Sequence, residues 1–141
     1  MKVVILGCGR VGATLATQLD RAGHTVSVID SNGDSFQRLG TKFRGEKITG
    51  NGVDEEVLRR AGIVSADAFI AVTNGDNRNI MASQIAKEIF NIKKVVCRIY
   101  DPLRQVTFSE LGLETICPTT IVTDLLLNAL NGSHSGKTQG R

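Results

Sequence analysis

A doubly wound, Rossmann-like α/β fold, its six parallel strands ordered 3-2-1-4-5-6, is what this sequence predicts, on three observations. Short strand-like runs alternate with helix-like stretches along the chain, the pattern of a parallel sheet covered on both faces. The first apolar run, Val3 to Leu6, feeds a G-x-G-x-x-G turn at Gly7, Gly9 and Gly12 that opens at once into a helix-like stretch. A second strand-like run ends in Asp30, the acidic residue expected about 20 positions past such a turn. Right-handed crossovers then give the strand order and put a ligand crevice at the carboxyl ends of strands one and four, where the order reverses.

The elements follow in order. Strand one spans 2–6 and the first helix 10–22, with Gly23 as its C-terminal cap. Strand two is 25–29. A short helix at 34–42 follows Asn32 or Gly33 and is weakened by Gly40. Strand three is 46–49, after which Gly50-Asn51-Gly52 turns the chain toward Asp54, an N-cap for a helix at 55–61. Strand four, 68–73, is apolar enough to be buried on both faces. The helix at 77–90 carries Ile80, Met81, Ile85 and Ile89 at helical spacing, a stripe that faces the sheet. Strand five, 94–100, is broken by Asp101-Pro102; a helix at 103–111 ends at Gly112. Strand six, 114–117, stops at Pro118, and a last helix covers 120–130. One domain therefore occupies 1–130, and 131–141 reads as a flexible polar tail.

Composition narrows the function. The 141 residues are 41% hydrophobic and 22% charged, enough for a real core in one ordinary domain. A net charge of +3, from 17 basic and 14 acidic residues, is too balanced to argue for nucleic acid or a membrane surface. No apolar run approaches the roughly 18 residues of a membrane span. Met1 leads straight into strand one, so no signal peptide is expected, and the expectation is a cytosolic protein. Cys8, Cys97 and Cys117 are odd in number and form no C-x-x-C pair, which argues against disulfide and metal use. Cys97 and Cys117 fall in predicted strands as small hydrophobes, whereas Cys8, in the glycine turn, would be partly accessible.

The turn carries the chemistry. Gly7 permits the tight turn, Gly9 lets a pyrophosphate approach the backbone, and Gly12 lets the helix lie close against the sheet. The helix start presents free N–H groups and a positive dipole end to phosphates, and Arg10 can add a guanidinium contact. Asp30 would hold a ribose hydroxyl and repel a 2′-phosphate, which favours an unphosphorylated ribose. Residues just past the strand ends gather at the crevice, among them Asn51, the turn from Thr73 to Asp76, and Arg98. A strand-end Arg98 can equally face water. Asp76 and Asn79 are expected to cap and brace a turn rather than touch ligand. His24 falls in a loop and His134 in the tail.

Taken together these elements resemble a known family. Gly-Cys-Gly-Arg-Val-Gly, then Val-Ile-Asp, then Gly-Asn-Gly with Glu-Glu-Val-Leu-x-x-Ala-Gly-Ile form its first part. Ala66 to Thr73, followed by Asp76-x-x-Asn79-Ile80, forms the second, and Cys97 to Pro102 with Leu111-Gly112-Leu113 and Pro118 completes it. The combination is similar to the N-terminal nucleotide-binding domain of the TrkA/KtrA group, the KTN or RCK domain. That resemblance implies a regulator rather than an enzyme: a domain that binds NAD(H), ATP, ADP or AMP and gates a membrane potassium channel or transporter from its cytoplasmic face. It implies homodimers, often within octameric rings. It also implies a site: Gly7, Cys8, Gly9, Arg10, Val11 and Gly12 on phosphates; Asp30, Ser31 and Asn32 at the ribose; Asn51, Gly52 and Val53 beside adenine; Thr73 and Asn74 along the pocket; Arg98 reaching the phosphates from strand five.

Two positions depart from the family pattern. Many relatives have Asp where this chain has Asn51. Some place an acidic metal ligand just after the strand-six proline, where Thr119 and Thr120 stand here, so no metal site is implied. The family's smaller C-terminal domain has no counterpart in these residues.

The final helix bears Ile121, Val122, Leu125, Leu126, Leu127 and Leu130 on more than one face. One face can pack on this domain and the rest suggests a partner surface. The resemblance agrees, because the family crosses between subunits there; the alternative is a helix folded back on its own sheet. The competing function is an NAD-dependent oxidoreductase fragment. Against it, Tyr100 has Arg104 rather than Lys four residues on, and residues 1–141 are expected to form no second domain that would hold a substrate.

Overall fold

The computed structural model describes residues 1–132, so all but the first two residues of the expected tail, His134 included, lie outside it. Strands β1 (Lys2–Leu6), β2 (Thr25–Asp30), β3 (Glu46–Thr49), β4 (Ala68–Ala71), β5 (Lys94–Arg98) and β6 (Glu114–Ile116) form one parallel sheet in the order β3-β2-β1-β4-β5-β6. The expected order is the observed one. A strand covered on both faces needs apolar side chains at consecutive positions, and Val3, Val4, Ile5 and Leu6 are all buried. Their alternation divides the core. Val4 and Leu6 join Ile29, Leu58, Ile63 and Phe69 on one face, and Val3 and Ile5 join Val26, Val28, Ala13 and Ala16 on the other.

Helices α1 (Arg10–Arg21), α2 (Glu55–Arg60), α3 (Asp76–Gln84), α4 (Pro102–Glu110) and α5 (Pro118–Leu130) complete the framework. Asp54 and Asp101 cap α2 and α4, each carboxylate accepting a backbone N–H two residues on.

Several expected elements differ in detail. The helix at 34–42 is a 3-10 helix, Gly33–Leu39. Asn32 Oδ1 accepts the Asp34 N–H and Gly40 at φ 78° ends it, leaving too little length for a stable α-helix. The helix at 77–90 is α3 followed by a π turn, Ile85–Ile89. Its stripe does not all face the sheet: Ile80 is buried, but Met81 and Ile89 are exposed. Strands four and five end two residues early, at Ala71 and Arg98, because side chains take over their backbone donors. The Thr73 N–H goes to Asn79 Oδ1, and the Tyr100 and Asp101 N–H groups go to the Asp76 carboxylate. Cys117 is the N-cap of α5 rather than a strand residue.

The β6 side is the thinnest part of the fold. Neither α4 nor α5 has a single buried residue, and Leu103, Val106, Ile121, Val122, Leu126, Leu127 and Leu130 are all exposed.

Candidate functional site

The carboxyl ends of β1 and β4 lie side by side at the glycine turn, the Val72 N–H donating to the Leu6 carbonyl at 2.8 Å. Gly7 sits at φ 110°, which a side chain would strain, and donates its N–H to the Ile29 carbonyl at 2.8 Å. A Cβ on Gly12 would overlap the Gly7 carbonyl oxygen, so α1 starts as close to the strand as backbone allows. At Gly9 a Cβ would meet nothing within 4 Å, because that residue borders open space. One cavity of about 480 Å³ occupies this space, within the range of small-molecule sites.

Nine of the expected residues line it: Gly7, Gly9, Asp30, Ser31, Asn51, Gly52, Thr73, Asn74 and Arg98. Asp30 is the brace of the turn. Its Oδ2 accepts the Cys8 N–H at 2.8 Å and its Oδ1 accepts the Asn32 N–H at 2.9 Å. Each carboxylate oxygen has a second lone pair, so a ribose hydroxyl can still donate to it. Asn51 Oδ1 accepts the Val53 N–H at 3.1 Å, fixing the turn beside Gly52. A Cβ on Gly52 would run into Leu6 Cδ1, which keeps that rim against the sheet.

The β4–β5 wall is built on buried Asn79, fully excluded from solvent. Its Oδ1 accepts the Thr73 N–H and hydroxyl at 3.0 and 2.6 Å, and its Nδ2 donates to the Thr73 and Arg98 carbonyls at 2.9 and 3.0 Å. Asp76 and Asn79 thus brace turns, as expected. Arg98 Nη2 donates to the Val72 and Thr73 carbonyls, and the guanidinium lies 4.8 Å from the Tyr100 ring centroid.

Six expected residues are not on the wall. Cys8 is fully buried rather than partly accessible, and its thiol donates to the Ser35 carbonyl. Burial, then the Asp30 carboxylate, pushes that thiol's pKa up, so it stays protonated and poorly nucleophilic. Gly12 and Val53 pack into the scaffold. Arg10 and Val11, at the first two positions of α1, are exposed and do not line the cavity, and Asn32 caps the 3-10 helix. Sequence reasoning missed two guanidiniums on the wall, Arg38 and Arg78. Arg38 Nη1 reaches back to the Cys8 carbonyl at 3.4 Å. It comes from the stretch misread as an α-helix, so no periodicity pointed it at the turn. Arg78 lies only four residues past Asn74 and could have been found by extending the β4 loop into the first turn of α3.

Comparison with known proteins bears on this geometry. The family model for the TrkA-N domain matches residues 3–119. The Trk system potassium uptake protein TrkA of Streptomyces coelicolor is 48% identical over 130 residues, covering 92% of this chain. The chain spans 58% of that relative's length. Among solved structures, the Kef C-terminal domain of Shewanella denitrificans in its AMP-bound form superposes with a TM-score of 0.78 at 20% identity, over 93% of this chain and 80% of that one. The GsuK channel bound to NAD superposes with a TM-score of 0.77 at 23% identity, over 92% of this chain and 23% of that one. These two likenesses are of fold.

Proposed function

The chain belongs to the TrkA-N domain family, and from that premise we propose that it is the nucleotide-binding domain of a regulator of potassium passage through a membrane transport protein. The observation that carries the reading is the cavity over the glycine turn, bare at Gly9 and faced by Asp30. An adenine nucleotide fits that chemistry, with phosphates on the α1 amides, ribose at Asp30 and adenine beside Asn51 and Gly52. The AMP and NAD named with the two structural relatives are ligands of the same class.

The domain does no chemistry on its ligand. Tyr100, the residue a hydride-transfer enzyme would use as acid, lies under Arg98 instead. Function here is mechanical: a nucleotide that prefers one arrangement of domains shifts the population toward it, and the transport partner feels the change. No helix among the described residues is long and apolar enough to cross a membrane. In this reading the domain works at the cytoplasmic face, held there by its partner.

A second copy of the chain would cover the bare apolar faces of α4 and α5, giving a homodimer from which larger rings can be built. Replacing Leu126, which is 61% exposed, by glutamate is then expected to halve the sedimenting mass while the chain stays folded, its unfolding midpoint falling only by the concentration-dependent share that the lost subunit contact supplied. A parent protein that sediments as a monomer at tens of micromolar would remove the dimer from the reading.

The ligand assignment is tested at Asp30. The parent is expected to prefer AMP over 2′-deoxy-AMP by about tenfold, the value of one charge-assisted hydrogen bond of ~1.5 kcal/mol. Asp30→Ala abolishes that preference in a calorimetric titration, whatever it does to the turn. An unchanged preference places the ribose elsewhere. Potassium uptake by cells carrying parent or Asp30→Ala tests the regulatory half: uptake that differs supports it, and equal uptake despite lost nucleotide binding refutes it.

A further inference from the structure

Charge is unevenly spread around the cavity. Its wall carries three guanidiniums, from Arg38, Arg78 and Arg98, and one carboxylate, Asp30. Asp30 stands on the β2 side and already accepts two backbone N–H groups. On the opposite side, past β4 and β5, Arg78 and Arg98 stand beside Thr73 and Asn74 with no carboxylate lining that stretch. Arg78 forms no ion pair among the described residues. Arg98 has a buried Nε with no acceptor among the described residues. That nitrogen has no accessible surface, so what Arg98 offers a ligand at this wall is the charge of its guanidinium rather than this donor. Two guanidiniums on one stretch of wall, Arg78 without an ion pair and no carboxylate lining beside them, therefore favour an anion at this end of the cavity.

Resting on the nucleotide reading, we propose that the site selects adenosine 5′-polyphosphates over oxidised dinucleotides, and that Arg78 is the specificity-determining residue, taking the terminal phosphate. With adenosine at Asp30 and the first phosphates on the glycine turn, the next group along the ligand arrives at Arg78 and Arg98. In a dinucleotide that group is a second ribose carrying a nicotinamide ring, which is cationic when oxidised. Two guanidiniums repel it, and among the described residues the only apolar side chains lining the cavity are Leu6 and Val72. In a nucleoside triphosphate the same place receives a further anionic phosphate, for which a guanidinium is a bidentate partner.

The test is calorimetric titration of the chain with ATP, ADP, AMP, NAD⁺ and NADH, for the parent and for Arg78→Ala, with an unfolding midpoint for each protein. Arg78 is exposed on α3, so its truncation is expected to leave the midpoint unchanged. The parent is expected to bind ATP at least tenfold more tightly than NAD⁺. Arg78→Ala is expected to weaken ATP about tenfold while AMP changes less than twofold. NAD⁺ bound as tightly as ATP, or ATP and AMP affected equally by the substitution, overturns the selection while leaving the nucleotide site standing. No binding of any of the five at millimolar concentration overturns the nucleotide reading itself, and the selection with it.

Discussion

Gly9→Ala is expected to fold as well as the parent and to bind AMP and ATP roughly tenfold to a hundredfold more weakly, whereas Gly12→Ala, three residues on, is expected to lose its fold stability first. The residues belong to one motif but meet different constraints. Gly9 has φ −77° and ψ −163°, extended backbone open to any residue, and a Cβ there meets nothing within 4 Å. Removing glycine's freedom in the unfolded chain even favours the variant by up to about 1 kcal/mol. In the proposed pose the methyl stands where a phosphate would touch the backbone, and that kind of overlap costs about 1–3 kcal/mol, or one to two decades in affinity. On Gly12 the Cβ would overlap the Gly7 carbonyl oxygen and come within 3.3 Å of Val72 Cγ2. Backbone cannot rotate aside as a side chain can, so α1 must lift from the sheet. A loss of roughly 3 kcal/mol in urea unfolding is expected. If Gly9→Ala binds as the parent does, the phosphates do not sit on this turn. If Gly12→Ala unfolds at the parent's midpoint, the contact between α1 and β1 is looser than described.

The difference between these glycines also marks what the chain disclosed and what it did not. Strand order, the turn and the carboxylate that ends β2 were legible because each rests on local pattern. Consecutive apolar residues make a strand buried on both faces, and a glycine triplet between strand and helix has few other uses. The ends of β4 and β5 were not legible, because distant side chains decide them. Asn79 and Asp76 collect N–H groups that a longer ladder would have used, and by ending the strands there they open the crevice. Arg38 escaped for a related reason, since a 3-10 helix points its side chains differently from the α-helix its composition suggested. Cys8 looked accessible as part of a surface turn, yet it lies in the core beneath that turn. The apolar surplus of the last helix was readable from spacing alone, and no residue of α5 is buried.

Asn79→Ala is expected to destabilise the protein by about 3–5 kcal/mol and to weaken nucleotide binding as well. The side chain is 0% exposed and makes four hydrogen bonds to two residues of the cavity wall. Truncation strips the Thr73 N–H and the Arg98 carbonyl of these partners inside the protein, at about 1–3 kcal/mol each, and leaves a small cavity besides. The Thr73 carbonyl is cushioned, because Arg98 Nη2 also donates to it at 3.1 Å. Asn79→Asp separates the loss of donors from the loss of volume. Its oxygen can still accept from Thr73, but an ionised carboxylate would face the Thr73 and Arg98 carbonyls with no water. Burial raises such a carboxyl's pKa above its unfolded value, so the folded state holds a proton that the unfolded state has released. The sign follows: Asn79→Asp comes nearest to the parent's stability below the unfolded aspartate pKa, and falls away from it as pH rises through the folded one. Urea unfolding of parent and variant at pH 4 and pH 7 reads this directly. A deficit that does not grow with pH would mean that water reaches Asn79, and that the β4–β5 wall is held by something other than this side chain.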